Sequence, residues 1–121
     1  MKIRKYFDPE METMDREELE ALQLHELKLQ LRRCHRDSEF YREKFKKAGI
    51  KPDDIRSLDD MVHVPFATKV ELREEQQAHP HFGRYTVAPP ENWAELRPSP
   101  GTTGAPINTI WSHEDVKKIS K

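Results

Sequence analysis

The chain contains a single cysteine, no long apolar run and almost no excess of either charge. Because Cys34 has no second cysteine to pair with in 121 residues, an internal disulfide is excluded, and the cytoplasm is the expected location. No stretch is apolar enough to predict a membrane-spanning helix, and the basic N-terminus lacks the apolar core of a secretory signal. A net charge of −1 provides no basic footprint for a nucleic acid. We therefore expect neither a nucleic acid nor a membrane as a partner.

Apolar residues are also scarce. They make up 35% of the chain, against 36% charged residues, and the mean hydropathy is −0.96. Globular domains usually have an apolar content nearer to one half. The length allows one domain with a small core, and such a core is marginal in isolation. A partner chain is one way to complete its apolar faces.

Residues 1–84 are predicted to be mainly helical. After an irregular arm, Asp15 followed by Glu18 is typical of a helix N-terminus. This first helix is predicted to run to about residue 36, because apolar side chains recur at helical spacing. They are Leu24, Leu27, Leu31 and Cys34.

Two further helices are predicted in the same region. One has an aromatic face formed by Phe40, Tyr41 and Phe45, and Gly49 is a natural stop for it. The other begins at a capping box of Thr68 and Glu71 and runs to about residue 78. The aromatic residues are interpreted as core or interface residues rather than a ligand-binding set.

Residues 85–121 are predicted to be rich in β-structure. Short strand-like runs occupy residues 85–87, 93–96 and 107–111, and Ser112 with Asp115 predicts the start of a last helix. The predicted fold class is therefore α+β. It consists of a helical region (1–84) and a β-rich segment (85–121) within one structural unit.

A glycine- and threonine-rich loop lies between the last two strand-like runs. Residues 99–106 read Ser-Pro-Gly-Thr-Thr-Gly-Ala-Pro. The common nucleotide P-loop requires a lysine after its last glycine and then a helix. Here Ala105, Pro106 and a strand-like run follow, so that type is excluded. A strand–loop–strand element fits instead, in which backbone N–H groups and threonine hydroxyls bind phosphate oxygens. A hairpin turn that binds nothing is the alternative.

Three stretches, in order along the chain, resemble the N-terminal part of phenylacetate–CoA ligases, which belong to the adenylate-forming acyl-CoA synthetase superfamily. They are the arm and start of the first helix (residues 6–19), the second helix and the turn after it (40–60), and the loop region (96–106). The resemblance covers nearly all of this chain but only a minor part of a family member. We therefore expect a fold that is incomplete relative to the family's large N-terminal domain.

The resemblance implies a chemistry and a set of binding residues. Such enzymes use ATP and Mg²⁺ to convert an aryl-acetate carboxylate into an acyl-adenylate, release pyrophosphate, and transfer the acyl group to CoA. The residues that correspond to the family's phosphate loop are Ser99, Gly101, Thr102, Thr103 and Gly104. The other family motifs have no counterpart here, so no catalytic residue is assigned. We expect the chain to be inactive alone and to need a partner chain.

Two positions in the loop depart from the family pattern. Pro100 stands where the family usually has serine, and proline has no N–H to donate. Ala105 replaces a lysine, and a charge-assisted hydrogen bond contributes roughly 1.5–3 kcal/mol. Both changes predict weaker phosphate binding. They leave two functions open: part of a ligase completed by another chain, or a non-catalytic assembly subunit or inactive fragment derived from such a ligase.

Two other candidate sites are interpreted as structural. His79 and His81 are close in sequence but lack a third ligand, so a surface turn is favoured over a metal site. Cys34 lies on the leucine face of the first helix, which favours a buried thiol over a reactive one. No metal ligand is therefore predicted.

Overall fold

The computed structural model describes residues 4–100 and 104–120. Within these residues the N-terminal part is helical, with α1 (Pro9–Glu12), α2 (Arg16–Asp37), α3 (Glu39–Ala48) and α4 (Lys69–Ala78). Short 3₁₀ turns occupy Pro52–Asp54, Asp59–His63 and Pro90–Asn92. Two antiparallel strands follow, β1 (Trp93–Pro98) and β2 (Asn108–Ser112), and then helix α5 (His113–Ile119). The predicted α+β class is confirmed.

Local sequence signals determine where these helices begin and end. The carboxylate of Asp15 accepts the N–H of Glu17 at 3.1 Å, which caps α2. At the start of α4, the Thr68 hydroxyl accepts the N–H of Glu71, and the Glu71 carboxylate accepts the N–H of Thr68 at 2.7 Å. Helix α3 ends at Gly49, whose φ of 68° suits a residue without a side chain. The three predicted helices are confirmed.

The core lies where α2 and α3 meet the first 3₁₀ turn. Leu31, Phe45 and Ile55 are 7%, 2% and 1% exposed and pack against one another. Partly buried side chains surround them: Leu27, Tyr41, Ile50 and Val64. This is the small core that the composition predicts, and it contains Tyr41 and Phe45 from the aromatic face of α3.

The prediction of a strand-like run at residues 85–87 is wrong, since the structure has an irregular segment there. Side chains of this segment form hydrogen bonds to other elements and to its own backbone. The hydroxyl of Tyr85 lies 2.8 Å from the carbonyl oxygen of Asn108, and the hydroxyl of Thr86 donates to the carbonyl of Phe82 at 3.0 Å. The segment joins α4 to the sheet and does not extend the sheet.

The two strands form a short ladder with one irregularity. Leu96 pairs with Ile110 and Arg97 with Thr109, and the register shifts between Trp93 and Glu95. A two-stranded sheet is marginal by itself. Here α5 lies against both strands, and Gln76 of α4 accepts a hydrogen bond from Asn108 at the start of β2. No helix within the described residues combines the length and apolar character that crossing a membrane requires.

Candidate phosphate-loop site

The loop closes the hairpin between β1 and β2, so the predicted strand–loop–strand arrangement is present. The last ladder pair is Pro98 with Asn108, and Ser99 follows it as the first residue of the loop. The N–H of Ser99 donates to the carbonyl of Ile107 at 2.8 Å, and the N–H of Ile107 donates to the Ser99 hydroxyl at 2.9 Å. Ser99 therefore holds the base of the loop closed.

The predicted site residues fall into two groups. Ser99 and Gly104 lie at the two ends of the loop, while Gly101, Thr102 and Thr103 lie outside the described residues. Gly104 has a φ of 87°, in the region that side chains make unfavourable. The glycine is therefore needed for the backbone to turn towards β2.

Two side chains of helix α4 bind the end of the loop that leads into β2, which we call its returning arm (residues 105–108). Nε of Arg73 donates to the carbonyl of Ala105 at 3.2 Å. The side-chain amide of Gln76 donates to the carbonyl of Pro106 at 2.9 Å, and its oxygen accepts the N–H of Asn108 at 2.8 Å. These bonds satisfy backbone groups at the end of the loop and fix its position against the helix.

Tyr85 completes this arrangement from the irregular segment. Its hydroxyl lies 3.0 Å from Oε1 of Gln76 and 2.8 Å from the carbonyl oxygen of Asn108. Partial burial raises the pKa of the Tyr85 hydroxyl, which keeps it protonated as a donor. We call Arg73, Gln76 and Tyr85 the loop clamp.

The loop clamp was not predicted from the sequence, although Arg73 and Gln76 are three residues apart and so share one face of α4. That spacing is the one signal of the clamp in the sequence, and it does not indicate which face of α4 contacts the loop. The contact joins residues about 30 apart in sequence, as in the bond from Gln76 to Pro106.

A partly buried ion pair fixes the helix that carries the clamp. Glu75 is 8% exposed, and its carboxylate accepts hydrogen bonds from Nε of Arg84 at 2.7 Å and from the backbone N–H of Arg84 at 2.8 Å. Nη1 of Arg84 also lies 3.0 Å from Glu39 and 3.1 Å from Glu43 on α3. The pair thereby ties α4, α3 and the segment that bears Tyr85 to one another.

The N-terminus of α4 has a second anchored carboxylate. Glu71 accepts hydrogen bonds from Lys44 of α3 and from Thr68. The side-chain hydrogen bond from Lys44, followed by those from Thr68, lowers the pKa of Glu71 to about 2. Two charged contacts, through Glu71 and Glu75, thus orient α4.

We expect acidification to destabilise the fold partly through Glu75. Its pKa is lowered from the ordinary value of 4.5, first by the side-chain hydrogen bonds from Arg84. A carboxyl whose pKa is lower in the folded state stabilises the fold above its unfolded-state pKa, and this contribution is lost as the pH falls through the folded value. Urea unfolding midpoints of the wild type should therefore fall as the pH drops below about 4.5.

Glu75→Gln is the matched variant for this pH dependence. It keeps the shape of the side chain but has no carboxyl to titrate, so its unfolding midpoint should change less with acidification. The other carboxyl groups whose pKa values are lowered titrate in both proteins and supply the remaining slope; they are Asp37, Asp53, Asp60, Glu71 and Asp115. Parallel profiles for the wild type and the variant would show that the Glu75–Arg84 pair contributes nothing to the pH dependence.

The other residues considered as candidate sites are His79, His81 and Cys34, and their contacts are those of structural residues. Among the described residues no group of His, Cys, Asp and Glu side chains could hold a metal ion. His79 lies beside Glu75, with 3.1 Å between Nδ1 and Oε1, and the backbone carbonyl of His81 accepts the side-chain amide of Asn108. Burial is the largest cause of the raised pKa of the Cys34 thiol, which disfavours the reactive thiolate.

Solved structures that are similar to this fold include CoA ligases. No family model matches the chain. A 2-hydroxyisobutyryl-CoA ligase, crystallised in complex with 2-HIB-AMP and CoA in the thioesterification state, superposes with a TM-score of 0.86 at 33% identity over 97% of this chain and 25% of that chain. An open conformation of such a ligase gives a TM-score of 0.85 at 31% identity. The chain therefore has the fold of part of an AMP-forming CoA ligase.

Curated relatives of the chain are phenylacetate-coenzyme A ligases. The phenylacetate-coenzyme A ligase of Thermus thermophilus is 37% identical over 115 residues, which are 95% of this chain and 25% of the relative. The Escherichia coli enzyme of the same name is 38% identical over 109 residues, which are 90% of this chain and 24% of the relative. The chain is related to the phenylacetate–CoA ligases and spans about a quarter of their length. The resemblance predicted from the sequence is confirmed.

Proposed function

We propose that this chain contributes part of the ATP-phosphate loop of an AMP-forming aryl-acid–CoA ligase, and that a partner chain supplies the remaining motifs. The observation that carries the proposal is the loop clamp, which holds the return of the loop in place at residues 105–108. A bound polyphosphate needs donors that are already oriented, because ordering them on binding costs free energy. A hairpin turn without a ligand has no such requirement.

In this proposal the loop acts by binding and orienting ATP. Backbone N–H groups of the loop and the hydroxyls of Thr102 and Thr103 donate to phosphate oxygens. An oxygen of the acid's carboxylate then forms a bond to the α-phosphorus, and the bond from that phosphorus to pyrophosphate breaks. The sulfur of CoA subsequently attacks the acyl carbon and AMP leaves. The groups that bind the acid and CoA belong to the partner chain.

The described residues do not provide a group of three or more His, Cys, Asp or Glu side chains that could hold Mg²⁺. In the proposed complex, Mg²⁺ would accompany the phosphates of ATP and be held by groups of the partner chain. None of the roles assigned here to residues of this chain depends on it.

An exposed apolar stretch supports the need for a partner. Val62, Phe66 and Val70 are 82%, 91% and 60% exposed and lie within nine residues of one another. Large apolar side chains exposed together commonly mark interaction surfaces. We propose that the rest of the ligase covers this stretch, since the curated relatives are about four times as long as the matched region.

The test is carboxylate-dependent exchange of pyrophosphate into ATP, measured on the complex purified with its native partner. We expect Thr102→Ala combined with Thr103→Ala to reduce the exchange rate by tenfold or more, because each lost charge-assisted hydrogen bond costs roughly 1.5–3 kcal/mol. Thr109→Ala, at an exposed position of β2, is the matched control and should leave the rate unchanged. An undiminished rate in the double variant would exclude a role for the loop in ATP binding.

The partner requirement has its own measurement. The purified chain alone should form no acyl-CoA, and Phe66→Asp should weaken capture of the partner while leaving the fold intact. Acyl-CoA formation by the chain alone would overturn the requirement. Capture that is equally strong with Phe66→Asp would show that the partner binds elsewhere.

A non-catalytic assembly subunit is the second candidate, and Pro100 and Ala105 favour it. Pro100 removes one backbone donor and Ala105 one side-chain charge relative to the resembled loop. This candidate predicts a co-purifying protein with a different activity that the threonine substitutions do not alter.

A further inference from the structure

A groove of about 820 Å³ lies between the C-terminal end of α2, residues 79–93 and the start of α5. Much of its wall is apolar. The rings of Phe82 and Trp93 pack edge to face with their centroids 4.8 Å apart, and the indole N–H of Trp93 donates to the carbonyl of Ala88 at 2.8 Å. Pro89 and Pro90 continue this wall. Packing and a hydrogen bond therefore hold an apolar surface in place beside α2.

Arg33 of α2 brings a positive charge to this groove. It also lines a smaller cavity of about 300 Å³, which shares Val87 and Ala88 with the groove. The residue is partly buried, and it forms no ion pair and no hydrogen bond with the part of the chain that the structure describes. Glu114 also lines the groove, but it is exposed and does not pair with Arg33. A guanidinium has five N–H donors and stays protonated at physiological pH, so these donors are available to a binding partner.

Two other carboxylates lie close enough to Arg33 to respond to its charge, but both are bound by other groups. Asp37 is held by Arg36, with Nε to Oδ1 and Nη2 to Oδ2 both at 2.6 Å. These hydrogen bonds are the main cause of the lowered pKa of Asp37, and the charge of Arg33 adds to it. Asp115 accepts the backbone N–H and the hydroxyl of Ser112 at 2.9 and 2.8 Å. Partial burial opposes the lowered pKa of Asp115, and the bonds from Ser112 and the charge of Arg33 outweigh it.

The charge of Arg33 limits what can cover the groove. Water solvates the guanidinium while the groove is open. A protein surface packed on the apolar wall would displace that water, and an unpaired charge is costly away from water. A carboxylate offsets this cost best, because it accepts two parallel N–H bonds from one guanidinium. The covering surface should therefore be apolar and carry an acidic side chain.

We propose that this groove, which we call the Arg33 groove, is a docking surface for the partner chain, and that the partner places an Asp or Glu carboxylate against the Arg33 guanidinium. The existence of the partner rests on the proposed function, and the phenylacetate-coenzyme A ligases that the chain matches are about four times as long as the matched region. Charge complementarity selects the acidic side chain, and the Phe82–Trp93 wall selects apolar residues around it. The Arg33 groove shares no residue with the exposed apolar stretch at residues 62–70, so docking involves two surfaces.

Affinity for the native partner tests this assignment, with the Kd of the full chain measured by isothermal titration calorimetry at several salt concentrations. We expect Arg33→Gln to raise the Kd about tenfold or more, and Arg33→Lys to raise it less, because lysine keeps the charge but not the planar fork. The affinity of Arg33→Gln should also fall less steeply with added salt, because one screened attraction is gone. An unchanged Kd with an unchanged salt slope would overturn the proposal.

Arg16→Gln is the matched control on the same helix. Arg16 is exposed and pairs with Glu20, so its loss should change the Kd by less than about twofold. The urea unfolding midpoint of Arg33→Gln should stay at the wild-type value, since Arg33 has no ion pair or hydrogen bond among the described residues. A weaker complex together with a large fall in this midpoint would assign Arg33 a structural role and overturn the proposal.

Arg33→Lys also allows a direct chemical test. A carbodiimide condenses a primary amine with a carboxylate that touches it; an amide forms, and the carbodiimide takes up the water as a urea. Mass spectrometry of the treated complex should show position 33 joined to an Asp or Glu of the partner, whereas Arg16→Lys should join only Glu20 of its own chain. Coupling of position 33 only to Asp37 or Asp115, to a second copy of this chain or to a small carboxylic acid would overturn the proposal, as would no coupling.

The exchange assay distinguishes this inference from the proposed function. A complex that exchanges pyrophosphate normally, but shows no coupling at position 33 and no loss of affinity with Arg33→Gln, would refute the docking role and leave the ligase function standing. A complex that couples at position 33 but lacks carboxylate-dependent exchange would refute the ligase function and leave the docking role standing. Recovery of the chain from its native source without any bound protein would refute both.

Discussion

Replacing Phe45 with alanine is expected to lower the free energy of unfolding by about 3–5 kcal/mol, the cost of truncating a fully buried aromatic side chain. Phe45 is 2% exposed and packs with Leu31 and Ile55 at the junction of α2, α3 and the first 3₁₀ turn. The loss includes both the transfer free energy of the ring and the cavity it leaves. Because small domains are stable by only about 5–15 kcal/mol, we expect a large shift in the urea unfolding midpoint.

Phe66→Ala is the matched control for this prediction. The same side chain is removed, but Phe66 is 91% exposed and contributes little to the folded chain alone. Its unfolding midpoint should stay close to that of the wild type. Similar midpoints for the two variants would contradict the packing described for Phe45 and place the main core elsewhere.

The second large effect is expected for Gly83→Ala. Gly83 has a φ of 63°, and a Cβ there would lie 2.6 Å from Cδ1 of Tyr85 and 3.2 Å from Cγ of Glu75. The Tyr85 ring would have to move, and its hydroxyl would lose its position beside Gln76 and Asn108. Overpacking of this kind costs roughly 1–3 kcal/mol, in addition to roughly 1–2 kcal/mol for a side chain at positive φ.

Gly49→Ala separates these two costs. Gly49 has a φ of 68°, but no atom lies within 4 Å of the position of its Cβ. This variant should therefore show the backbone cost alone, with a smaller loss of stability than Gly83→Ala. Only Gly83→Ala should also reduce pyrophosphate exchange by the native complex, since it disturbs the loop clamp. Equal effects of the two variants on stability and exchange would show that Tyr85 relaxes without consequence for the loop.

Much of the local structure could be predicted because the signals are short-range. The capping box of Thr68 and Glu71, and that of Ser112 and Asp115, act within four residues and appear as predicted. Gly49 likewise ends α3. A helix boundary depends on backbone donors and acceptors that neighbouring side chains satisfy, so it can be predicted from the sequence.

The error at residues 85–87 has the opposite origin. Tyr, Thr and Val favour strands, yet a strand also needs a partner in register, and here β2 pairs with β1. The Tyr85 hydroxyl instead binds α4 and the start of β2. Tertiary contacts therefore overrode a local β preference.

The candidate site likewise has one part that the sequence predicts and another part that depends on tertiary contacts. The sequence was sufficient to identify a strand–loop–strand element at residues 99–106 and its resemblance to a ligase phosphate loop, because these depend on contiguous residues and on their order. It also showed that Ala105 lacks a charge. Only the tertiary structure determined that Arg73 and Gln76 hold the returning arm of that loop, about 30 residues away in sequence. The angle at which a helix packs depends on the whole core, including the Glu75–Arg84 pair, and no local pattern encodes it.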